Sequence, residues 1–429
     1  MSFKPYPIHK QTGVEWLGPI PEHWRIKPFW ALYRRIKRGG FPGEELLSVY
    51  RDYGVIRKSD RDDNFNNPSE DLSTYQLVEP GDLAMNKMKA WQGSLGVSSL
   101  RGIVSPAYFV FRAVHNEVDR YLHYLLRSPP FAAGFMTISK GIRINQWDID
   151  PDHLSQVPVP LPSIDEQRAI IAFLDRETGK IDALVEEQRR LIELLREKRQ
   201  AVISHAVTKG LDPSAPMKDS GVEWLGEVPA HWDVARLQDQ AAFFQGKAHE
   251  PYVDDAGEHI CVTARFVSTD GAAIKTCTTN LSPAQVGDIL MVMSDLPNGR
   301  ALARTYLVED NRSYAVNQRV CCVRFSHGSP AYFAYQLNRS KQLLQFNDGV
   351  EQTHLTNGAF TKMRLAIPPV EEQHAIARYL NREIGNLEDL AVAADHATSL
   401  LIERRAALIS AAVTGKIDVR HVDAGRRAA

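Results

Sequence analysis

A chain of 429 residues, 44% apolar and 24% charged, is long enough for two or three domains and has the make-up of an ordinary folded protein. Its formal net charge of −1 excludes a polycation, so any nucleic-acid surface must be local or shared with a partner. No apolar run reaches the roughly 18 residues of a membrane helix, the N-terminus has no signal-peptide core, and Cys261, Cys277, Cys321 and Cys322 form no Cys-x-x-Cys pair. These features predict a cytoplasmic protein without a disulfide framework or zinc site.

In chain order, the first motif is Gly-Val-Glu-Trp-Leu-Gly at 13–18, followed by Pro-x-His-Trp at 21–24. Both return at 221–226 and 229–232, an offset of 208. Trp16, Trp24, Trp224 and Trp232 are expected to pack as a structural clamp around a turn. The repeating unit is therefore half the chain, with an opening motif, a middle region and a long helix.

The middle regions match weakly but in order. Pro80-Gly81-Asp82-Leu83 corresponds to Val286-Gly287-Asp288-Ile289, and Phe111-Arg112 to Val323-Arg324. A helix at 121–128 corresponds to 333–340, and Gly141-Ile142 to Gly349-Val350. β-Branched and aromatic runs bounded by Gly, Pro, Asn and Asp predict strands at 46–50, 82–88, 103–113, 260–266, 288–293 and 314–325. Each middle region reads as a mixed α/β globule closed by a proline-rich strap, 157–162 or 367–369.

The straps deliver the chain into two long helices, at 163–210 and again from 370 to 416, related by adding 206 to each number. Apolar residues stepping by four and three predict a coiled-coil seam. In the first helix it includes Ile181, Leu184, Leu191, Leu195 and Val202, and in the second Leu387, Leu390, Leu401 and Leu408. Ser163 with Glu166 has the form of a capping box, and Gly210 with Pro213 is a stop signal. Gly179 and Gly385 predict a break, with a short anchoring helix before it and a spacer from Lys180 or Asn386 after it. Gln188, Lys198 and His205 read as polar interruptions of the first seam.

Catalytic motifs are missing. The sequence has no phosphate loop, dinucleotide fingerprint, nucleophile elbow or His-Glu-x-x-His helix. Ser128-Pro129-Pro130-Phe131 looks superficially like the loop of amino-methyltransferases, but Ser340, its repeat partner, is followed by Lys341-Gln342-Leu343. The middle regions instead carry basic and amide side chains beside aromatics. Six basic residues and no acid lie between 25 and 38: Arg25, Lys27, Arg34, Arg35, Lys37 and Arg38. Lys87 and Lys89, with Trp91 and Gln92, follow the Gly-Asp strand, and Arg143, Asn145 and Gln146 follow Gly141. The second half offers Lys247, Arg265, Arg300, Arg304, Gln318, Arg319, Gln352 and His354. Arg and Lys suit guanine edges and phosphates, and Asn and Gln suit adenine edges.

The duplicated order of opening motif, middle region and Pro-rich strap, leading to Glu166-Gln167 or Glu372-Gln373 and a helix ending Ala206-Val207-Thr208 or Ala412-Val413-Thr414, closely resembles the specificity subunit of type I restriction-modification systems. The resemblance implies two target recognition domains (1–162 and 211–368), two spacer helices forming an antiparallel coiled coil (163–210 and 369–416) about a pseudo-twofold, and a tail (417–429). It implies a reader of split double-stranded DNA without an active site. Two modification subunits would bind S-adenosylmethionine, and two restriction subunits would use ATP and Mg to cut. A divergent methyltransferase or nuclease, and a coiled-coil assembly scaffold without DNA readout, stay open as alternatives.

Overall fold

The computed structural model describes residues 3–51, 53–61, 68–141, 147–295, 300–344, 353–355, 360 and 362–420. They fall into two compact units, Met1–Arg189 with Asp395–Ala429, and Arg190–Ala394. The division by packing thus runs through both long helices.

The first unit holds a four-stranded antiparallel sheet in the order Tyr33–Ile36, Tyr108–Ala113, Leu83–Asn86, Leu95–Val97. Alternation along these strands splits the apolar side chains between two faces. Leu83, Met85, Phe109 and Phe111 face a core shared with the helices Asp119–Leu126 and Pro129–Thr137. Ala84 and Val110 face a smaller core with the hairpin Leu47–Tyr50 and Gly54–Arg57.

The second unit repeats that sheet as Ala241–Gln245, Val320–Phe325, Ile289–Val292, Thr305–Leu307. It adds a second four-stranded sheet in which His259–Val262 runs parallel to Tyr314–Val316. Several expected strands are shorter or divided. The run expected at 260–266 turns helical at Ala264–Ser268, because the Thr263 hydroxyl accepts the Phe266 amide at 3.2 Å and caps a helix there. The runs expected at 103–113 and 314–325 each break into two strands.

The helices Asp119–Leu126 and Pro330–Leu337 align at a different offset from the one sequence identity suggests. The Tyr121 hydroxyl donates to the Pro160 and Val413 carbonyls, and Tyr332 does the same to Ala366 and Val207. Tyr121 therefore corresponds to Tyr332, not Phe333. The extra residue of the second copy sits in the following turn, where Arg339 adopts φ +56°.

Each strap pairs with the strand after its opening motif: Pro158–Leu161 with Arg25–Pro28, and Arg364–Ile367 with Asp233–Arg236. The straps lead into helices Ile164–Lys209 and Val370–Val413. Neither breaks at its glycine. Gly179 and Gly385 are helical with nothing within 4 Å of an added Cβ, so each costs only about 1 kcal/mol of propensity, which the flanking packing outweighs. Half of the capping box forms, with the Glu166 amide on Ser163 Oγ at 3.3 Å.

The Glu166 side chain has another use. It accepts from Tyr6 Oη (2.6 Å), Trp24 Nε1 (3.1 Å) and the His23 ring (3.0 Å). Glu372 accepts from Trp232 Nε1 (3.1 Å) and the His231 ring (2.8 Å). Gln167 and Gln373 each accept one amide at the start of a middle-region helix, Val118 or Ser329, and donate to a strap carbonyl, Pro162 or Pro368. The Glu-Gln dipeptide thus ties the opening motif, the middle region and the strap to the long helix.

The seam lies one position away from part of the expected stripe. The inward residues of the first helix are Ile181, Val185, Gln188, Ile192, Leu195, Arg199 and Val202, and those of the second are Leu387, Ala391, Ala394, Thr398, Leu401, Arg405 and Leu408. Every pair of counterparts is 206 residues apart. Leu184 is 44% exposed, Leu390 is 55% exposed, and Leu191 is also exposed, so these three are corrections to the expected seam. Gln188 does interrupt the seam, whereas Lys198 and His205 are exposed.

Candidate nucleic-acid interface

In both units the strand that leads to the candidate interface starts from a glycine turn. Gly81 (φ +89°) and Gly287 (φ +88°) make that turn, and the following aspartate caps it. Asp82 accepts the Glu79 amide at 2.9 Å, and Asp288 the Gln285 amide at 2.7 Å. Their charge partners differ. Arg38 reaches from the edge strand to Asp82 (2.5 Å) and to Glu79. Asp288 is held bidentately by Arg324, both bonds 2.7 Å. Burial raises the Asp82 carboxyl above its ordinary range despite Arg38. At Asp288 burial pushes the same way, but the Arg324 and Gln285 hydrogen bonds prevail and hold it below that range.

Beyond the strand, the first unit makes a fixed turn. Asn86 Oδ1 accepts the amides of Met88 (3.0 Å) and Lys89 (3.2 Å), and Trp91 Nε1 donates to the Met88 carbonyl at 2.9 Å. Met88 and Lys89 stand exposed at its tip. Trp91 packs on Trp147, ring centroids 5.5 Å apart. The Ile149 amide donates to the Lys87 carbonyl at 3.0 Å, and in the second unit the Leu355 amide donates to Met293 at 2.7 Å. The turn and the later segment therefore meet in the same way in both copies.

The chemistry at that meeting point differs. In the first unit the Arg35 guanidinium lies 4.0 Å from the Phe109 ring centroid and Lys87 Nζ lies 5.1 Å from it. One ring thus holds two cations, and neither makes an ion pair among the described residues. Lys87 also donates to the Pro106 carbonyl at 2.6 Å. Register places Phe243, Cys321 and Met293 at the corresponding positions of the second unit, an apolar trio. There the polar groups move to the neighbouring turn. Gln318 and Arg319 are exposed at its tip, Asn317 caps it through the Gln318 amide (2.8 Å), and the Arg319 carbonyl accepts the Met293 amide at 2.9 Å. Lys247 bridges to Asn317 beside them.

The candidates are thus sorted. Arg35, Lys87 and Lys89 gather in the first unit, and Lys247, Gln318 and Arg319 in the second. Arg34 and Lys37 are exposed on or beside the first unit's edge strand. Arg38 is corrected to a structural role, because its guanidinium is committed to Glu79 and Asp82. Arg304 donates to the Ser268 carbonyl at 3.5 Å, its own carbonyl accepts the Val292 amide at 3.0 Å, and burial together with the charges of Arg339 and Arg199 lowers its pKa. Arg265 is exposed on the short helix Ala264–Ser268, and Arg300 is exposed with its carbonyl accepting from Arg339. His354 lies on the strand Thr353–His354, paired with Ser294–Asp295. Arg143, Gln146 and Gln352 lie outside the described residues. Asn86, Met88 and Trp147 escaped sequence reading. Asn86 followed by two amides has the form of an Asx turn, the one signal that pointed to it.

A family model described as "Type I restriction modification DNA specificity domain" matches residues 254–389. The "Putative type I restriction enzyme MjaX specificity subunit" of Methanocaldococcus jannaschii is 22% identical over 440 residues, covering 94% of this chain and 96% of that protein. The "Type I restriction enzyme EcoKI specificity subunit" of Escherichia coli K12 is 22% identical over 204 residues, 44% of each chain. Among solved structures, a chain from work on "complex assembly and conformational transition of the type I R-M system" superposes with a TM-score of 0.70 at 16% identity, covering 93% of this chain and 99% of that one. The HsdS subunit from Thermoanaerobacter tengcongensis gives 0.51 at 17% identity, covering 93% and 98%. Among the described residues, no helix is long and apolar enough to cross a membrane.

Proposed function

The chain belongs to the family of type I restriction-modification specificity subunits, which recognise DNA targets without catalysis, and on that premise we propose that it reads a split double-stranded sequence, one half-site with each middle region. One observation carries this reading. Equivalent turns meet equivalent segments in the two units, yet one presents Arg35 and Lys87 on the Phe109 ring with Lys89 exposed at the turn, and the other Lys247, Gln318 and Arg319 beside an apolar trio. A common frame with different chemistry is what reading two different half-sites requires. Residues 1–162 and 211–368 would be the target recognition domains, and 163–210 and 369–416 the spacers that set the gap.

The partners follow from the same reading. Two modification subunits would bring S-adenosylmethionine, and two restriction subunits ATP and Mg, in the cytoplasm. Exposed leucines beside the seam favour helical docking by the modification subunits: Leu184 and Leu400 in the first unit, and Leu191, Leu194 and Leu390 in the second. Footprinting of the reconstituted complex tests the proposal. Two protected patches on one duplex are expected, and a single continuous base-specific site overturns it. Inserting four residues within 189–195 adds roughly 6 Å of helix and should widen the gap by about two base-pair steps. An unchanged gap removes the spacer role. Methyl transfer or cleavage by this chain alone would favour an enzyme instead.

A further inference from the structure

The sheet of the first unit contains a pairing that its copy in the second unit avoids. Arg34, on the edge strand, stands directly opposite Arg112 on the neighbouring strand. Directly opposed residues of an antiparallel pair hold their Cβ atoms about 5 Å apart, and like charges there are destabilising. Both side chains are exposed, and neither makes a hydrogen bond or ion pair among the described residues. In the second unit the same two positions are Ala242 and Arg324. There Arg324 is neutralised by Asp288, through two bonds of 2.7 Å. The counterpart of Asp288 in the first unit is Asp82, which is already committed to Arg38. The first unit has therefore lost the carboxylate that would neutralise Arg112 and has gained a second arginine across from it.

We propose that Arg34 and Arg112 form a clamp for one phosphodiester of the DNA backbone. A shared anion removes the repulsion between the two guanidinium groups and gives each planar fork a pair of oxygens to bind. Arg34 lies next to Arg35 in the edge strand, but alternation turns Arg34 and Arg112 to the face of the sheet that Val110 occupies, opposite the face on which Arg35 and Lys87 meet the Phe109 ring. The clamp is thus a backbone contact separate from that cluster, reached at the sheet's open edge beside the exposed Lys37. The clamp would fix the position of the first recognition domain on its half-site and read no base. The second domain has no such clamp at these positions.

The inference rests on the DNA-reading function above, and its test keeps the two apart. Binding of the full chain, assembled with its modification subunits, is measured on a 40-base-pair duplex of arbitrary sequence across a range of salt concentrations. A phosphate contact contributes about 0.9 to the slope of log affinity against log salt. Arg34→Gln and Arg112→Gln should each lower the slope by up to that amount, and the double variant should lower it by about one unit in all. Between 50 and 200 mM salt this makes binding about three- to fourfold less salt-sensitive. Discrimination between target and non-target duplexes should not change, and thermal midpoints should hold or rise as the repulsion is removed. An unchanged slope overturns the clamp. A loss of two units in the double variant overturns the shared phosphate, and impaired assembly with the modification subunits in the absence of DNA assigns the pair to a protein contact instead. If the unaltered complex binds no DNA, the functional reading itself fails, whatever the variants do.

Discussion

Arg405 Nε meets Asp182 Oδ1 at 2.7 Å, with a second bond of 3.3 Å to Oδ2, and so ties the second long helix to the first. The residue 206 positions after Asp182 is Glu388, and the residue 206 positions before Arg405 is Arg199. Arg199 and Glu388 form the corresponding pair at 3.3 Å. One interaction thus occurs twice, with the helices antiparallel each time. Both arginines occupy seam positions, where a hydrocarbon would be indifferent to register.

Reversing one member of such a pair should weaken the helix contact. Asp182→Arg is expected to lower stability by about 0.5–1 kcal/mol, since the pair is half-exposed, and the swap Asp182→Arg with Arg405→Asp should restore most of it. Urea unfolding of the four proteins in a double-mutant cycle measures the coupling.

The two Glu anchors should differ in weight. The Glu166 side chain is 5% exposed with three donors on it, whereas Glu372 is 27% exposed with two. Glu166→Ala leaves Tyr6 and Trp24 as buried donors without an acceptor, at about 1–3 kcal/mol each. Glu372→Ala should cost roughly half as much, because solvent reaches its partners. Chemical denaturation of each variant against the parent provides the comparison.

His123 gives the first unit an acid sensitivity. Its Nε2 accepts from Arg127 at 2.6 Å, and its ring fills the space beside Gly54 and Gly96. Burial, then the charge of Arg127, pushes its pKa from 6.5 down to about 4. The unfolded chain therefore takes up this proton more readily than the folded one. Stability is full above about pH 6.5 and declines as the pH falls towards 4, by roughly 2 kcal/mol between pH 7 and 5. His123→Gln should flatten this part of the profile in unfolding measured at both pH values.

Asp288 acts at lower pH. Its depressed pKa contributes stability that is present above the unfolded value of 3.8 and is lost as the pH falls through the lower folded value. Asp82 is shifted upward and should not share that loss. Arg324→Gln leaves Asp288 buried without its cation and should destabilise the second unit by about 3 kcal/mol. Thermal unfolding followed at pH 7 detects that loss.

The frame of this protein is legible in its sequence because repetition marks it. The Glu-Gln dipeptides, the Trp motifs and both long helices announce themselves twice. The seam was half legible. Leu184 and Val185, like Leu191 and Ile192, offer two apolar stripes one residue apart, and periodicity cannot choose between them. Packing chose the stripe containing Gln188 and Arg199, because Arg199 has its carboxylate across the seam. The interface was legible as residue types rather than as places. Arg38 and Arg35 look alike in the sequence, yet one is held by Asp82 and Glu79 and the other by the Phe109 ring. Nothing local in the sequence records which carboxylate lies across a sheet.

Tyr121 donates to Val413, and an added Cβ at Gly415 would strike Pro21 and approach Trp24. The first compact unit therefore closes on residues made after the whole of the second, which is one uninterrupted stretch, Arg190–Ala394. During synthesis the second half can complete its core before the first half does. The opening motif must wait, with Trp24 and Tyr121 unsealed, until Val413 and Gly415 have been made. A chain that stops short of Val413 thus leaves its first unit without the carbonyl that Tyr121 binds.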